Sequence, residues 1–187
     1  MPRSVSGFSL LEMLLVLFVV VVLTSLVSLN VGSGADTRLR EQAALSIRDG
    51  VVFALDEAQF TGRDFGLLLQ AGTGVDPGVQ LRWRERLAQG WRGPASNAVV
   101  FEDLWLDGDV ELILDGLLVE PVDPAEGDAL AGSVPQWLFL ASGDTQTGQL
   151  LWRDSVSGEM LFRLEWDALG RVEVFRGDEL DSLAAAP

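Results

Sequence analysis

Two different periods divide this chain. From Phe8 to Leu29 the residues are uncharged and almost wholly apolar apart from Glu12, with no polar face at any helical spacing. From Thr37 to about Phe60 the apolar residues Leu39, Ala43, Ile47, Val51, Ala54 and Ala58 recur every three or four positions. That spacing predicts an amphipathic helix with a modest face of small residues. Between the two lie Asn30-Val31-Gly32-Ser33-Gly34, whose two glycines raise the cost of helix by about 1 kcal/mol each, and Asp36 is placed to cap a restart. The expectation is one long, interrupted helix, its first part over 8–30 and its amphipathic continuation over 31–60.

After Thr61-Gly62-Arg63-Asp64 the period changes to two. Strands are predicted over 65–70, 79–84, 98–101, 109–114, 136–141, 149–154, 159–166 and 171–176, with turn residues between them. Met160, Phe162, Leu164 and Trp166 share one face, and Ser155-Val156-Ser157-Gly158 closes the hairpin before them. Asp107-Gly108-Asp109 is predicted as a hairpin turn, and 116–135, rich in Pro, Gly and acid, as a long loop. The tail Leu183–Pro187 is predicted to fray. Residues 61–187 thus form an antiparallel β domain, and the fold class is α+β: a long N-terminal helix packed on a C-terminal antiparallel sheet.

At 1.5 Å per residue the stretch from Phe8 to Leu29 spans ~33 Å, against a bilayer hydrocarbon core of roughly 30 Å. An ionisable residue in such a segment ordinarily has a partner, and the one to account for is Glu12. Three readings compete. A cleavable secretory signal would use the small residues Ser33-Gly34-Ala35 before Asp36, but the apolar run is longer than a signal core. A plain signal anchor explains the helix and leaves Glu12 unexplained. The third reading comes from the motif itself. A short basic leader, Gly7-Phe8, then Ser9-Leu10-Leu11-Glu12-Met13 and an apolar helix resembles the type III signal of type IV pilins and type II secretion pseudopilins.

That resemblance implies a leader peptide over 1–7, cleavage between Gly7 and Phe8 by a prepilin peptidase, and N-methylation of Phe8. It also implies a role for Glu12 in assembly, pairing with the terminal amine of a neighbouring subunit. Further along, Thr61–Leu67, Phe139-Leu140-Ala141-Ser142-Gly143-Asp144 and Asp167-Ala168-Leu169-Gly170-Arg171-Val172 resemble the GspH/FimT branch of minor pseudopilins. The resemblance implies a type IV pilin-like fold whose first helical part is transmembrane. It implies a single-pass inner-membrane protein with its C-terminal domain in the periplasm, and a structural subunit of a pseudopilus that helps export folded proteins. The partners it implies are other pseudopilins, the prepilin peptidase, the inner membrane and secreted cargo. Arg3 precedes the apolar segment while Arg38, Arg40 and Arg48 follow it, so charge alone gives no orientation and the periplasmic placement rests on the resemblance.

Composition narrows the chemistry. All 13 basic residues are arginine, and there is no His and no Cys. These absences exclude a Ser-His-Asp triad, a cysteine nucleophile, an ordinary zinc site, a P-loop and a Schiff base. No catalytic residue, metal ligand or cofactor is expected. The formal charge of −15 opposes phosphate backbones, so no nucleic-acid partner is expected. An alternative is a FimT-like minor pilin of a type IV pilus that takes up DNA; this would need Arg82, Arg84, Arg86 and Arg92 to gather on one face. A third, an anchored or secreted enzyme, runs against the missing side chains. Glu120, Asp123, Glu126 and Asp128 lack the spacing of an EF-hand and are expected to be a solvated acidic loop. Of six tryptophans, five are expected in the core, with Trp91 exposed at a partner contact.

Overall fold

The structure is a computed structural model that describes residues 10–73, 78–96, 98–123 and 133–177, with the backbone alone over 22–35. Gly7, Phe8, Glu126, Asp128 and the tail after Gly177 lie outside the described residues. The chain divides into two units, Met1–Arg40 and Glu41–Pro187.

Helix α1 runs Leu10–Thr61 without a break. The expected interruption at Gly32 and Gly34 is absent, and Asp36 sits within the helix rather than capping a restart. The energetic reason is that two glycines cost about 2 kcal/mol in total. A break would instead free several backbone N–H and C=O groups at each new end and require a second helix nucleus.

In the second unit, α1 presents a stripe of Ala44, Ile47, Val51, Ala54, Leu55 and Ala58, all buried. Among the described residues ten strands follow: β1 Phe65–Ala71, β2 Gly78–Leu87, β3 Gly90–Arg92, β4 Leu104–Asp107, β5 Asp109–Leu114, β6 Leu117–Val119, β7 Trp137–Phe139, β8 Gly148–Arg153, β9 Met160–Trp166 and β10 Val172–Arg176. They form two five-stranded sheets. The first is ordered β3-β2-β1-β7 with β4 also on β2, and the second β10-β9-β8-β5-β6. All ladders between strands are antiparallel, as β1 with β2 over Phe65↔Glu85 to Ala71↔Val79.

Period two explains which residues meet the helix. Phe65, Leu67 and Leu69 of β1, Val79, Leu81 and Trp83 of β2, and Trp137 and Phe139 of β7 face inward. They share one core with Leu112, Leu150, Leu164 and Trp166 of the second sheet. The sheets meet where Trp137 stacks on Trp166, ring centroids 3.7 Å apart. The small stripe on α1 is what admits these large rings: a Cβ on Gly50 would lie 2.4 Å from Cζ2 of Trp83. The Trp83 indole N–H has no hydrogen-bond partner among the described residues. Leaving such a group unsatisfied costs about 1–3 kcal/mol, less than the ~4–6 kcal/mol from burying roughly 150–250 Å² of indole.

Three elements differ from expectation. Residues 98–101 are not a strand: Val99–Phe101 is a single 3-10 turn. It drives Phe101 between Phe53, Phe65 and Trp83 at 5.3–5.5 Å between ring centroids. Asp107-Gly108-Asp109 is not a hairpin turn, because β4 pairs with β2 in the first sheet and β5 with β8 in the second. Gly108 is the corner between sheets. Its φ is +94°, and an added Cβ would stand 2.3 Å from the Arg153 carbonyl oxygen. The Trp152 indole N–H donates to the Asp107 carbonyl, pinning that corner. The stretch expected as a loop from Gly116 opens with strand β6. It then returns to the first sheet, where the Val122 N–H donates to Leu69 O and the Ala71 N–H to Val122 O, both at 2.9 Å.

Gly108→Ala places a side chain against backbone in a left-handed conformation, and Gly50→Val drives one into a rigid indole. Each is expected to destabilise the protein by about 2 kcal/mol or more. Gly93→Ala, with open space at its Cβ, should stay within about 0.5 kcal/mol of the parent. Denaturant melts of the three detergent-solubilised variants check this ranking.

Candidate functional site

The surface that most needs an explanation is the start of α1. From Leu10 to Val21 every side chain described is exposed, from Leu10 at 91% down to Val19 at 46%, and every one but Glu12 is apolar. Successive residues turn by about 100° around a helix, so the apolar surface goes all the way round. Helices of that kind are buried in a larger core or a membrane. Taking those eleven apolar side chains out of water is worth on the order of 15 kcal/mol or more. Among the described residues no helix is long and apolar enough to cross a membrane. The side chains of the apolar run are described only as far as Val21.

Glu12 lies exposed in the first turn of α1. A carboxylate there is favoured by the positive end of the helix dipole, by about 0.3–1 kcal/mol. Chemically this end of the chain offers one anion on an otherwise apolar rod. It is suited to accept a cation.

The three downstream motifs come together at the far end of the helix. The Gly62 N–H donates to Ala58 O at 2.9 Å and ends α1. Arg63 Nη1 donates to the buried Glu85 Oε1 at 2.8 Å, and Glu85 Oε2 takes the Ala95 N–H at 3.0 Å. Asp64 accepts the Ala141 N–H at 3.0 Å with one carboxylate oxygen and Arg86 Nη1 at 3.3 Å with the other. The Thr145 N–H, just past the second motif, donates to Ala168 O of the third at 3.0 Å. In the third, Arg171 Nε donates to Asp167 Oδ2 at 2.6 Å, and this bond holds the Asp167 carboxyl below its usual range. These residues build the fold: each carboxylate is turned onto a backbone N–H or an arginine of its own chain.

The arginines do not form an open basic face. Arg82, Arg84 and Arg86 alternate along one side of β2. Arg82 is paired with Asp103 at 3.1 Å and Arg86 with Asp64. Arg84 is buried, donates from Nη1 to Trp83 O, and burial pushes its guanidinium below the ordinary value. Arg92 pairs in register with Glu85 and belongs to the opposite face. The tryptophans also depart from expectation. Trp91 is buried at 7% exposure, whereas Trp105 is exposed at 45%. Trp91 stands directly across from Arg86 on β2, while Trp105 sits on β4, which among the described residues pairs with β2 alone. The alternation Asp103-Leu104-Trp105-Leu106-Asp107 carries that signal, leucines inward and tryptophan outward. Among the described residues no cluster of three acidic side chains is placed to hold a metal ion. A cleft of about 690 Å³ lies between Glu41, Leu45 and Arg48 of α1 and strand β10, and two of its lining residues, Arg176 and Glu41, form an ion pair.

No protein-family model and no curated protein matches the sequence. Solved structures do match. The crystal structure of the minor pseudopilin EpsH from the type II secretion system of Vibrio cholerae superposes with a TM-score of 0.58 at 17% identity, covering 75% of this chain and 98% of that one. A second structure of the same Vibrio protein gives 0.57 at 18% identity with the same coverage. At this identity the likeness is one of fold, and it establishes the α+β, pilin-like architecture.

Because the first buried residue among the described side chains of α1 is Ala44, deletion of residues 1–40 should leave the melting midpoint of the remaining domain within about 3 °C of the parent, a shift equivalent to less than about 1 kcal/mol. It should also abolish co-sedimentation with membranes. A large fall in the midpoint would show that the first unit is part of the domain's stability.

Proposed function

We propose that this chain is a minor pseudopilin of a type II secretion system, similar to the H component. It is a structural subunit of a periplasmic pseudopilus that assists export of folded proteins. The observation that carries this is the pairing of an EpsH-like fold with an N-terminal helix apolar on every side, broken by one carboxylate at its start. In this reading the subunit is made as a prepilin and held in the inner membrane by the helix over 8–30, with its C-terminal domain in the periplasm. A prepilin peptidase cuts between Gly7 and Phe8, and Phe8 is N-methylated. The chain is the substrate of an enzyme and not itself one.

The chemistry of assembly follows from desolvation. Once the apolar rod leaves lipid for a filament core, its charge needs a partner, since an uncompensated buried charge costs about 3–5 kcal/mol. The Glu12 carboxylate accepting hydrogen bonds from the terminal amine of a neighbouring pseudopilin supplies that partner and sets the helix register. The stripe from Phe8 to Leu29 packs against neighbouring helices, and the sheets face other pseudopilins or cargo. The FimT-like alternative, a DNA-binding pilus subunit, loses support from the arginines. Two of the four are matched to carboxylates of their own chain, and a third is buried.

Glu12→Ala should leave leader cleavage intact and reduce incorporation into sheared pseudopili at least ten-fold. Normal incorporation would remove the role given to Glu12. In a gel shift with duplex DNA, the purified protein should give no salt-sensitive band, and a strong one would favour the pilus reading.

A further inference from the structure

Within the second unit, the outward face of α1 has no role in the fold. Opposite the buried stripe lie Asp49, Val52, Asp56 and Phe60, three or four residues apart and all exposed. Phe60 is 88% exposed, so the last turn of the helix ends on a phenyl ring held in water. Asp49 also lines a cleft of about 160 Å³ with Val99, Val100 and Glu102 at the 3-10 turn, which carries this surface onto a second element. The charge on it is of one sign. Residues 49–61 hold three carboxylates, Asp49, Asp56 and Glu57, and no basic residue, and residues 93–104 have no basic residue either. The arginines that flank these segments in sequence are turned elsewhere. Arg48 is bound to Asp49 at 2.8 Å and Arg63 to the buried Glu85 at 2.8 Å, while Arg92 stands across from that same Glu85. Asp56, Glu57 and Glu102 enter no ion pair among the described residues. The last turn of α1 has no basic residue, so the negative end of the helix dipole adds to Asp56 and Glu57 instead of being offset.

We propose that this outward face of α1, centred on Asp56, Glu57 and Phe60, docks a basic segment of a neighbouring pseudopilin. The proposal rests on the assembly reading above. Charge complementarity commits it to that occupant, because three separate features call for a cation at one place. A guanidinium or ammonium is attracted by the face of the Phe60 ring within about 6 Å of its centroid. The same group pairs with the unmatched carboxylates and offsets the negative helix end. Nucleic acid, or the same face of a second copy, meets only repulsion there. Val52, 48% exposed between Asp49 and Asp56, adds apolar contact beside the charges. Within the isolated domain, the like charges at the helix end oppose folding slightly, so their use lies in the contact and not in the fold.

The test places a photo-crosslinking p-benzoylphenylalanine at Val52, leaving Asp56, Glu57 and Phe60 intact, in the full-length chain in its native membranes. A second site at Val156, 95% exposed in the β8–β9 turn, serves as reference. The expected result is a crosslink from position 52 to another membrane-anchored, pilin-like subunit, through a peptide containing Arg or Lys. Its yield should fall about five-fold or more in Asp56→Asn/Glu57→Gln and in Phe60→Ala. The isosteric pair should meanwhile melt no lower than the parent, since it removes charges that oppose the helix dipole. A pair that melts well below the parent would assign these carboxylates to the fold and overturn the proposal. A captured peptide without a basic residue, a yield unchanged in the pair, or capture of a protein of another class also overturns it. So does capture of a pilin-like subunit at position 156 alone, which leaves the pseudopilin reading standing. Absence of any pilin-like partner at both positions overturns the two together.

Discussion

The domain depends on how closely its helix lets an aromatic sheet approach. From Ala44 to Ala58 the inward stripe of α1 is built mostly of alanine and valine, with Gly50 in the middle. Residues of that size bury little apolar surface themselves. Their contribution is room, which Trp83, Phe65, Phe139 and Trp137 fill. A larger side chain at Gly50 would push Trp83 outward and with it Phe101, which stands 5.4 Å away by ring centroids. The small-residue helix and the tryptophan-rich sheets are thus two halves of one packing solution.

The same helix carries a second surface of opposite character. Over Leu10–Val21 the side chains other than Glu12 are apolar, and they are exposed all the way round the helix. In the function proposed above, that surface is given to lipid or to neighbouring subunits. The paired carboxylates and arginines around Asp64, Glu85 and Asp167 serve the domain. Glu12 is different because its setting is this apolar rod.

Much of the fold was legible from periodicity. In the second sheet β9 alternates cleanly, and β5, β8, β9 and β10 appear within a residue of where the pattern of apolar and polar residues predicts them. Strands β3 and β6 are only three residues long, too short for alternation to show against turn residues, whereas the alternation of β4 is legible in Leu104-Trp105-Leu106-Asp107. The corner at Gly108 could not be told from a hairpin turn, because the local Asp-Gly-Asp chemistry suits both and the choice is made by distant partners, β2 on one side and β8 on the other. Breaking the helix at Gly32 was an error of scale: a local propensity cost was weighed without the larger cost of two new helix ends. Trp91 was misplaced because glycines beside it suggested exposure, whereas its burial is a tertiary fact. For the site, the motif named Gly7, Phe8 and Glu12, and the structure adds the continuous exposed apolar surface around Glu12.

The account stands on processing of the amino terminus, and the intact mass and amino-terminal sequence of the native protein, purified from membranes, test it most directly. A chain beginning at Phe8 and carrying one methyl group on its amine is the predicted result. A chain beginning at Met1 would make this a plain anchored protein, and one beginning at Asp36 an exported soluble one. Either would contradict the role given to Glu12 and the apolar helix in assembly.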